Sequence, residues 1–239
     1  GATIAASKLL ELDERTTSFA VGLVSSMASG VRAQFGTMAK PLHAGMAAAN
    51  GVEAALLAQA GLVSNPDALE AEHGFADTHM VQNLNTNIAL NHLGEYWMFE
   101  EVLHKYHACC HGLHAAIEAL IKVREQNNLK AENIKNISIA VAPRYLKICN
   151  IMAPKTGLEA KFSFRLSAAM VLARRDTAVL STFSDEACDN EELIALRDQV
   201  SVSPDPKLSE TEAFVQVQTS DDKILNDNFD INQPQPFKI

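Results

Sequence analysis

The 239-residue sequence has no run of about 18 or more apolar residues, so it predicts no membrane-spanning helix. Its first residues lack a basic stretch before an apolar one, which argues against a secretory signal peptide. The four cysteines are not spaced as a disulfide framework, so we expect reduced thiols and a cytoplasmic location. The 20 basic residues are outnumbered by 29 acidic ones, and the net charge of −9 argues against nucleic acid as a partner.

Sequence motifs of several common enzyme classes are also missing. There is no G-x-x-x-x-G-K-[ST] phosphate loop and no G-x-S-x-G nucleophile elbow. Cys109 and Cys110 are adjacent and have no third cysteine nearby, so an iron–sulfur cluster is not expected. What remains is a composition of 47% hydrophobic and 21% charged residues, which is typical of a globular protein with a substantial core.

The first 100 residues contain helical patterns and few strand signals. We predict helices at residues 2–11, 13–30 and 67–72, and a buried helix in the run AGMAAANGVEAALLAQAG. Small residues recur in that run at spacings of three and four, which favours close helix packing. They are Ala44, Ala47, Ala48, Gly51, Ala54, Ala55 and Ala58.

The pattern changes near residue 100. The alternation in KNISIAVAP predicts a strand with Ile137, Ile139 and Val141 on one face, and AFVQVQTSDDKIL predicts a hairpin turning at residues 220–222. Helices are predicted between these strands. The predicted fold class is therefore mainly α with an α+β part: a helical domain (1–100), a smaller α+β lid domain (101–232) and a tail (233–239).

The stretch FGTMAKPLHAG predicts a binding site at a helix N-terminus. Proline is favoured at the first helical position, so Pro41 would place Thr37 and Lys40 at the start of the small-residue helix and His43 in its first turn. Free backbone N–H groups, the helix dipole and the Lys40 charge would together favour a carboxylate. The alternative is an exposed lysine beside an ordinary helix start.

The stretch HKYHACCHGLH concentrates groups that transfer protons. If it were helical, His107, His111 and His114 would share one face, with Lys105 nearby. The same set with a cysteine could bind zinc, as in a metal-dependent hydrolase, but no acidic residue lies among them and no fixed ligand spacing is present. We therefore predict proton transfer without a metal or other cofactor. Further along, EAKFSFRLSAAM offers Arg165 as a substrate-binding cation.

Taken together, these stretches resemble the MmgE/PrpD family. FGTMAKPLHAG is similar to its G-T-x-x-K-P-x-H-x-G box, and HKYHACCHGLHAAIEAL is similar to a K-x-x-x-x-C-x-x-x-H run with Lys105, Cys110 and His114 in the motif places. ALEAEHGF and EAKFSFRLSAA resemble two further boxes. The resemblance implies metal-free chemistry on small di- or tricarboxylates, a helical domain with an α+β lid, and a homodimer.

The resemblance also implies roles for individual residues. Lys40 and Lys105 correspond to carboxylate-binding and active-site lysines, and His114, or else His111, to the active-site histidine. A tyrosine that follows the K-F-S box in several members is replaced here by Leu166, which argues against the decarboxylase members.

From the resemblance we expect that this sequence lacks the N-terminal helical half and the C-terminal end of the family members, and that part of the catalytic set lies in that half. The function we favour is a lyase of the 2-methylcitrate dehydratase type. The alternatives are an epimerase or decarboxylase of the same family, or an inactive relative that binds carboxylates or a chain carrying the missing half. Such an incomplete member would expose helical faces.

Overall fold

The structure is a computed structural model, and it describes residues 1–79 and 91–232. The chain divides into two units: Gly1–Gln34 with Met38–Val102, and Phe35–Thr37 with Leu103–Ile239. The first is helical and the second is α+β, as the sequence predicts. Within the described ranges, no helix combines the length and the apolar character that crossing a membrane requires.

The first unit is built from α1 (Ala2–Leu9), α2 (Glu14–Met27), α3 (Ala39–Gln59) and α4 (Phe75–His79), with short 3-10 helices at Arg32–Gln34 and Met98–Glu101. Asp13 caps α2, because its carboxylate accepts a 2.7 Å hydrogen bond from the Thr16 backbone N–H. α3 packs against both α1 and α2. Ala20, Ala55 and Ala58 form the buried centre of this contact.

The contact of α3 with α1 depends on the lack of a side chain at Gly51. A Cβ there would lie 2.7 Å from the Ala2 Cβ and 2.9 Å from the Thr3 backbone nitrogen, closer than atoms can pack. The small-residue helix is therefore tightly packed as predicted, but only in its second half. Ala44, Ala47 and Ala48 are exposed, as are the larger side chains of the opposite face: Leu42, Met46, Val52 and Leu56.

Two predictions about helix starts are wrong. α3 begins at Ala39, so Pro41 is its third residue and not its first. Proline is tolerated there because the first N–H groups of a helix have no acceptor within the helix. Residues 67–72 form turns, and α4 begins only at Phe75. The carbonyls of Ala68 and Leu69 accept from the N–H groups of residues 75 and 76, so this segment closes into a loop.

The second unit surrounds a four-stranded sheet of order β2-β1-β3-β4, in which β1 and β2 are parallel and the other pairs antiparallel. Its short 3-10 helices are His111–Leu113, Ala131–Asn133 and Leu180–Thr182. The strands are β1 (Ile134–Val141), β2 (Val200–Pro204), β3 (Glu212–Thr219) and β4 (Ile224–Asp230), and the helices are α5 (His114–Gln126), α6 (Pro143–Leu146), α7 (Gly157–Ala160), α8 (Phe164–Leu172), α9 (Asp185–Cys188) and α10 (Glu191–Asp198).

The core of the second unit lies between the sheet and the helices α5 and α8. Ile137, Ile139 and Val141 are at most 1% exposed, which confirms the predicted inward face of β1. α5 packs on β3, β4 and α8, and buries the apolar face that includes Ile117 and Leu120. The predicted hairpin is formed by β3 and β4, with its turn where the sequence placed it.

The first prediction compares two glycines of α3 that differ in packing. Gly45→Ala should raise the free energy of unfolding by about 0.5–1 kcal/mol, because alanine is the better helix former and no atom lies within 4 Å of the added Cβ. Gly51→Ala should lower it by about 1–3 kcal/mol, because the new Cβ would force α1 away from α3. Urea unfolding of both variants measures the difference. Equal effects at the two positions would show that α1 does not pack closely at Gly51.

Candidate active site

The stretch 104–114 is an extended segment that leads into α5, and it is not helical before His111. Its backbone is held to other parts of the second unit by two hydrogen bonds. The Ala108 N–H donates to the Thr177 carbonyl at 2.8 Å, and the Cys110 N–H donates to the Lys161 carbonyl at 2.9 Å. The end of the segment is therefore fixed to residues that are distant from it in the sequence.

Three histidines nevertheless meet at the start of α5. The His107 and His114 ring centroids are 5.0 Å apart with planes at 74°, and the His111 and His114 centroids are 5.1 Å apart with planes at 43°. The predicted helix face is wrong, because residues 107–110 do not form a helix. The grouping of the three side chains arises instead from the turn of the segment and the 3-10 helix His111–Leu113.

Both ring nitrogens of His107 have partners. Nε2 lies 3.0 Å from Oε1 of Glu118, and Nδ1 lies 2.8 Å from the Thr177 hydroxyl oxygen. His107 is buried, with 6% of its surface exposed. The sequence interpretation was that no acidic residue accompanies the histidines. The folded structure shows that this is wrong, because Glu118 contacts His107. Glu118 follows His114 by four residues and lies on the same helix face, a signal that the interpretation overlooked.

His114 is the most deeply buried of the three, at 2% exposure. Its pKa is lowered from an ordinary value of 6.5 to about 4, first by burial and then by the neighbouring His107, His111 and Lys105. Its Nε2 is buried and has no hydrogen-bond partner among the described residues.

Positive charge stands at the edge of this cluster. Lys105 is exposed, and its Nζ donates a 3.1 Å hydrogen bond to the Cys109 carbonyl. Together with burial, Lys105 also lowers the pKa of His111. Burial raises the pKa of the Cys109 thiol to about 12, which keeps it protonated and unreactive. All four cysteines are free thiols, as expected.

The other predicted site residues lie on separate elements. Thr37 is exposed and belongs to the short stretch Phe35–Thr37 of the second unit, where Phe35 stacks edge-on against Phe162. Arg165 is half-buried in the first turn of α8, and its Nε has no partner among the residues that the structure describes. Lys40 and His43 belong to α3 in the first unit.

His43 lies at a cavity of about 250 Å³ within the first unit. The cavity wall is mainly apolar, with Ser25, Ser29, Asn50 and His43 as its polar members. The His43 ring lies beside Gly30, whose φ is +111°, and a Cβ added at Gly30 would be crowded, 3.2 Å from that ring. This contact gives His43 a packing role at the end of α2, whatever it binds.

A zinc site built from His107, His111, His114 and a cysteine does not form. Across residues 1–79 and 91–232, no group of three or more histidine, cysteine or acidic side chains is arranged to hold a metal ion. At His107, Glu118 and Thr177 already bind the two ring nitrogens, so neither nitrogen is free to bind a metal.

The low pKa of His114 predicts a pH-dependent stability. Between pH 6.5 and about 4 the unfolded chain binds a proton at His114 and the folded chain does not, so this contribution to stability is complete above pH 6.5 and is lost as the pH falls towards 4. His114→Asn replaces the imidazole by a polar side chain that does not titrate. Its free energy of unfolding should therefore decrease less from pH 7 to pH 4.5 than that of the unmodified chain.

Chemical unfolding at several pH values measures this difference, and His104→Asn is the matched control because His104 is exposed on the same segment. We expect the control to follow the unmodified chain. An unchanged pH dependence in His114→Asn would contradict the buried, neutral state of His114.

Comparison with known proteins agrees with these features. The profile of the MmgE/PrpD N-terminal domain matches residues 1–86, and that of the MmgE/PrpD C-terminal domain matches residues 107–232. Among curated relatives, human cis-aconitate decarboxylase is 30% identical over 179 residues, covering 72% of this chain and 36% of the human protein. The cis-aconitate decarboxylase-like protein oryM of Aspergillus oryzae is 32% identical over 155 residues, covering 59% of this chain and 32% of its own.

Cis-aconitate decarboxylase of Aspergillus terreus is 26% identical over 182 residues, covering 71% of this chain and 37% of its own. The matched parts thus span about a third of the length of these relatives. The two domain profiles together cover most of this chain, and they match the helical and the α+β parts in order. The chain belongs to the MmgE/PrpD family.

Proposed function

We propose that this chain carries the proton-transfer and part of the carboxylate-binding machinery of a lyase that acts on a small di- or tricarboxylate. The observation that carries the proposal is the buried, neutral His114 with an unpartnered Nε2, close to the cation of Lys105. A base and a cation in one place are what removal or addition of a proton beside a carboxylate requires.

His114 suits the role of the proton-transfer group. Its lowered pKa keeps the imidazole neutral at pH 7, so Nε2 is available to accept a proton from carbon. Once it has accepted that proton, the buried imidazolium is unfavourable and readily returns it. His111, whose pKa is also lowered, is the second candidate.

The lysines supply the positive field that an acidic protein needs to hold a polyanion. Lys105 stands at the histidine cluster, and Lys40 lies in the first turn of α3, where backbone N–H groups without helical acceptors also favour an anion. Thr37, His43 and Arg165 are our further candidates for substrate contacts. They stay predictions, and Arg165 is the strongest of them because its Nε lacks a partner among the described atoms.

Two reactions of the same class are open to such a site. Decarboxylation would break a C–C bond, release CO₂ and protonate the resulting carbanion, and the names of the relatives favour it. Dehydration of the 2-methylcitrate type would remove a proton from carbon and expel hydroxide. Leu166, which stands where several members have a tyrosine, is fully buried and has no hydroxyl to offer, which favours dehydration.

The test is an assay of the purified chain with cis-aconitate, and separately with citrate and 2-methylcitrate, followed by proton NMR of the alkene region. We expect new alkene signals with or without release of CO₂, and the release of CO₂ distinguishes decarboxylation from dehydration. Binding of the non-reacting tricarballylate, measured by calorimetry, is tested in parallel. If no acid binds, the proposal is wrong.

An inactive relative is the second candidate. It is favoured by the apolar side chains that α3 exposes. Carboxylate binding without turnover would support it. Native mass spectrometry then tests the partner that we propose, either a second copy or a chain carrying the N-terminal half.

One prediction tests the cation at the histidine cluster. Lys105→Gln should weaken tricarballylate binding about 10- to 100-fold, because a hydrogen bond to a charged group contributes about 1.5–3 kcal/mol. Lys130→Gln is the matched control, since Lys130 is exposed in the same unit and pairs only loosely with Glu132, at 3.8 Å. Equal affinities of the two variants would remove Lys105 from the site.

Another prediction tests the start of α3. Lys40→Ala should weaken binding about tenfold or more and change the free energy of unfolding by less than about 1 kcal/mol, because Lys40 is at a helix start and outside the buried alanine contact. Lys8→Ala, at an exposed site of α1, is the control. A large loss of thermal stability with unchanged binding would show that Lys40 is structural.

A further inference from the structure

We propose that His107 is the positioning residue of His114. Its ring, held by Glu118 and Thr177, packs against the His114 ring and keeps it in the orientation and tautomer whose Nε2 can accept a proton. The inference deepens the proposed function, on which it rests for the use of that proton. The arrangement itself is a property of the resting chain and can be measured without substrate.

The first step is the state of the His107 ring. Ionised Glu118 can only accept hydrogen bonds, so the 3.0 Å contact places a proton on Nε2 of His107. In the neutral ring Nδ1 then carries a lone pair, and the Thr177 hydroxyl donates to it at 2.8 Å. Two partners on opposite sides of the ring fix both its tautomer and its rotation.

The second step is the transfer of this order to His114. The His107 ring stands edge-on to the His114 ring, with centroids 5.0 Å apart. Nε2 of His114 is buried without a partner among the described residues, and because a buried N–H without an acceptor is rare in folded proteins, this orientation favours the proton on Nδ1. Rotation of His107 would remove the surface against which His114 packs and would free the His114 ring to turn.

The surroundings allow little other freedom. Thr177 holds the same loop a second time, because its carbonyl accepts from the Ala108 N–H at 2.8 Å. The turn at Gly112, two residues before His114, lies so close to Tyr145 that an added Cβ would clash with the tyrosine ring. The segment that leads to His114 is thus held both at Thr177 and against Tyr145.

The experiment is ¹⁵N NMR of the full chain with labelled histidines at pH 7, with His107→Gln and His114→Asn used for assignment. In the unmodified chain, His107 should show a protonated Nε2 and an unprotonated Nδ1, and His114 the reverse. The rings should also show an NOE to each other. The opposite tautomer at either histidine would overturn the proposal without any further variant.

The variants Glu118→Gln and Thr177→Val test the transfer. In each variant, His107 should show a mixture of its two tautomers. The chemical shifts of the two His114 ring nitrogens should move closer together, and the NOE between the His107 and His114 rings should weaken. Glu132→Gln, an exposed glutamate of the same unit, should change none of these. If the two variants lower the melting temperature but leave the His114 signals unchanged, His107 is a stability residue only and the inference is wrong.

The readout separates this inference from the proposed function. If NMR shows the expected tautomers but the chain binds no carboxylate, the positioning role of His107 stands and the lyase proposal is wrong. If the chain binds carboxylates through Lys105 but NMR shows the opposite histidine tautomers, the proposed function is supported and the positioning role of His107 is wrong.

Discussion

The burial of α5 against β3, β4 and α8 is the constraint on which the candidate site depends. This contact anchors the helix, and the histidine cluster is formed where the extended segment enters it. His114 is the first residue of α5 and is therefore carried into the core with it. An imidazole at a helix start is ordinarily solvated. Here the packing of the following turns buries the ring, so its Nε2 is shielded from solvent.

This burial has a thermodynamic cost, and the neighbouring groups change its size. Removing a histidine from water disfavours its charged form, and Lys105 and the two other imidazoles add to that effect. The chain keeps the ring neutral and leaves its Nε2 without a partner among the described residues. The nitrogen left without a partner is unfavourable for folding but useful for accepting a proton, a compromise that is common where stability and chemistry meet.

The two units differ in how completely they bury their apolar residues. The second has an extensive core of aliphatic and aromatic side chains, whereas the buried centre of the first consists of alanines on α2 and α3. α3 is apolar nearly all round, a pattern of helices that are covered on every side. Its small-residue face is covered in the second half, and its larger side chains remain exposed.

Local pattern alone determined the elements with strong periodicity: the inward face of β1, the β3–β4 hairpin and the existence of α3, because alternation and helical spacing are properties of neighbouring residues. It also indicated Lys105, His111 and His114 by their chemical types. It could not place Glu118 and Thr177 on His107, because Thr177 is 70 residues away and is brought there only by the packing of the second unit. The start of α3 and the loop at residues 67–72 were likewise not fixed by the pattern, because several local conformations satisfy the same few backbone groups.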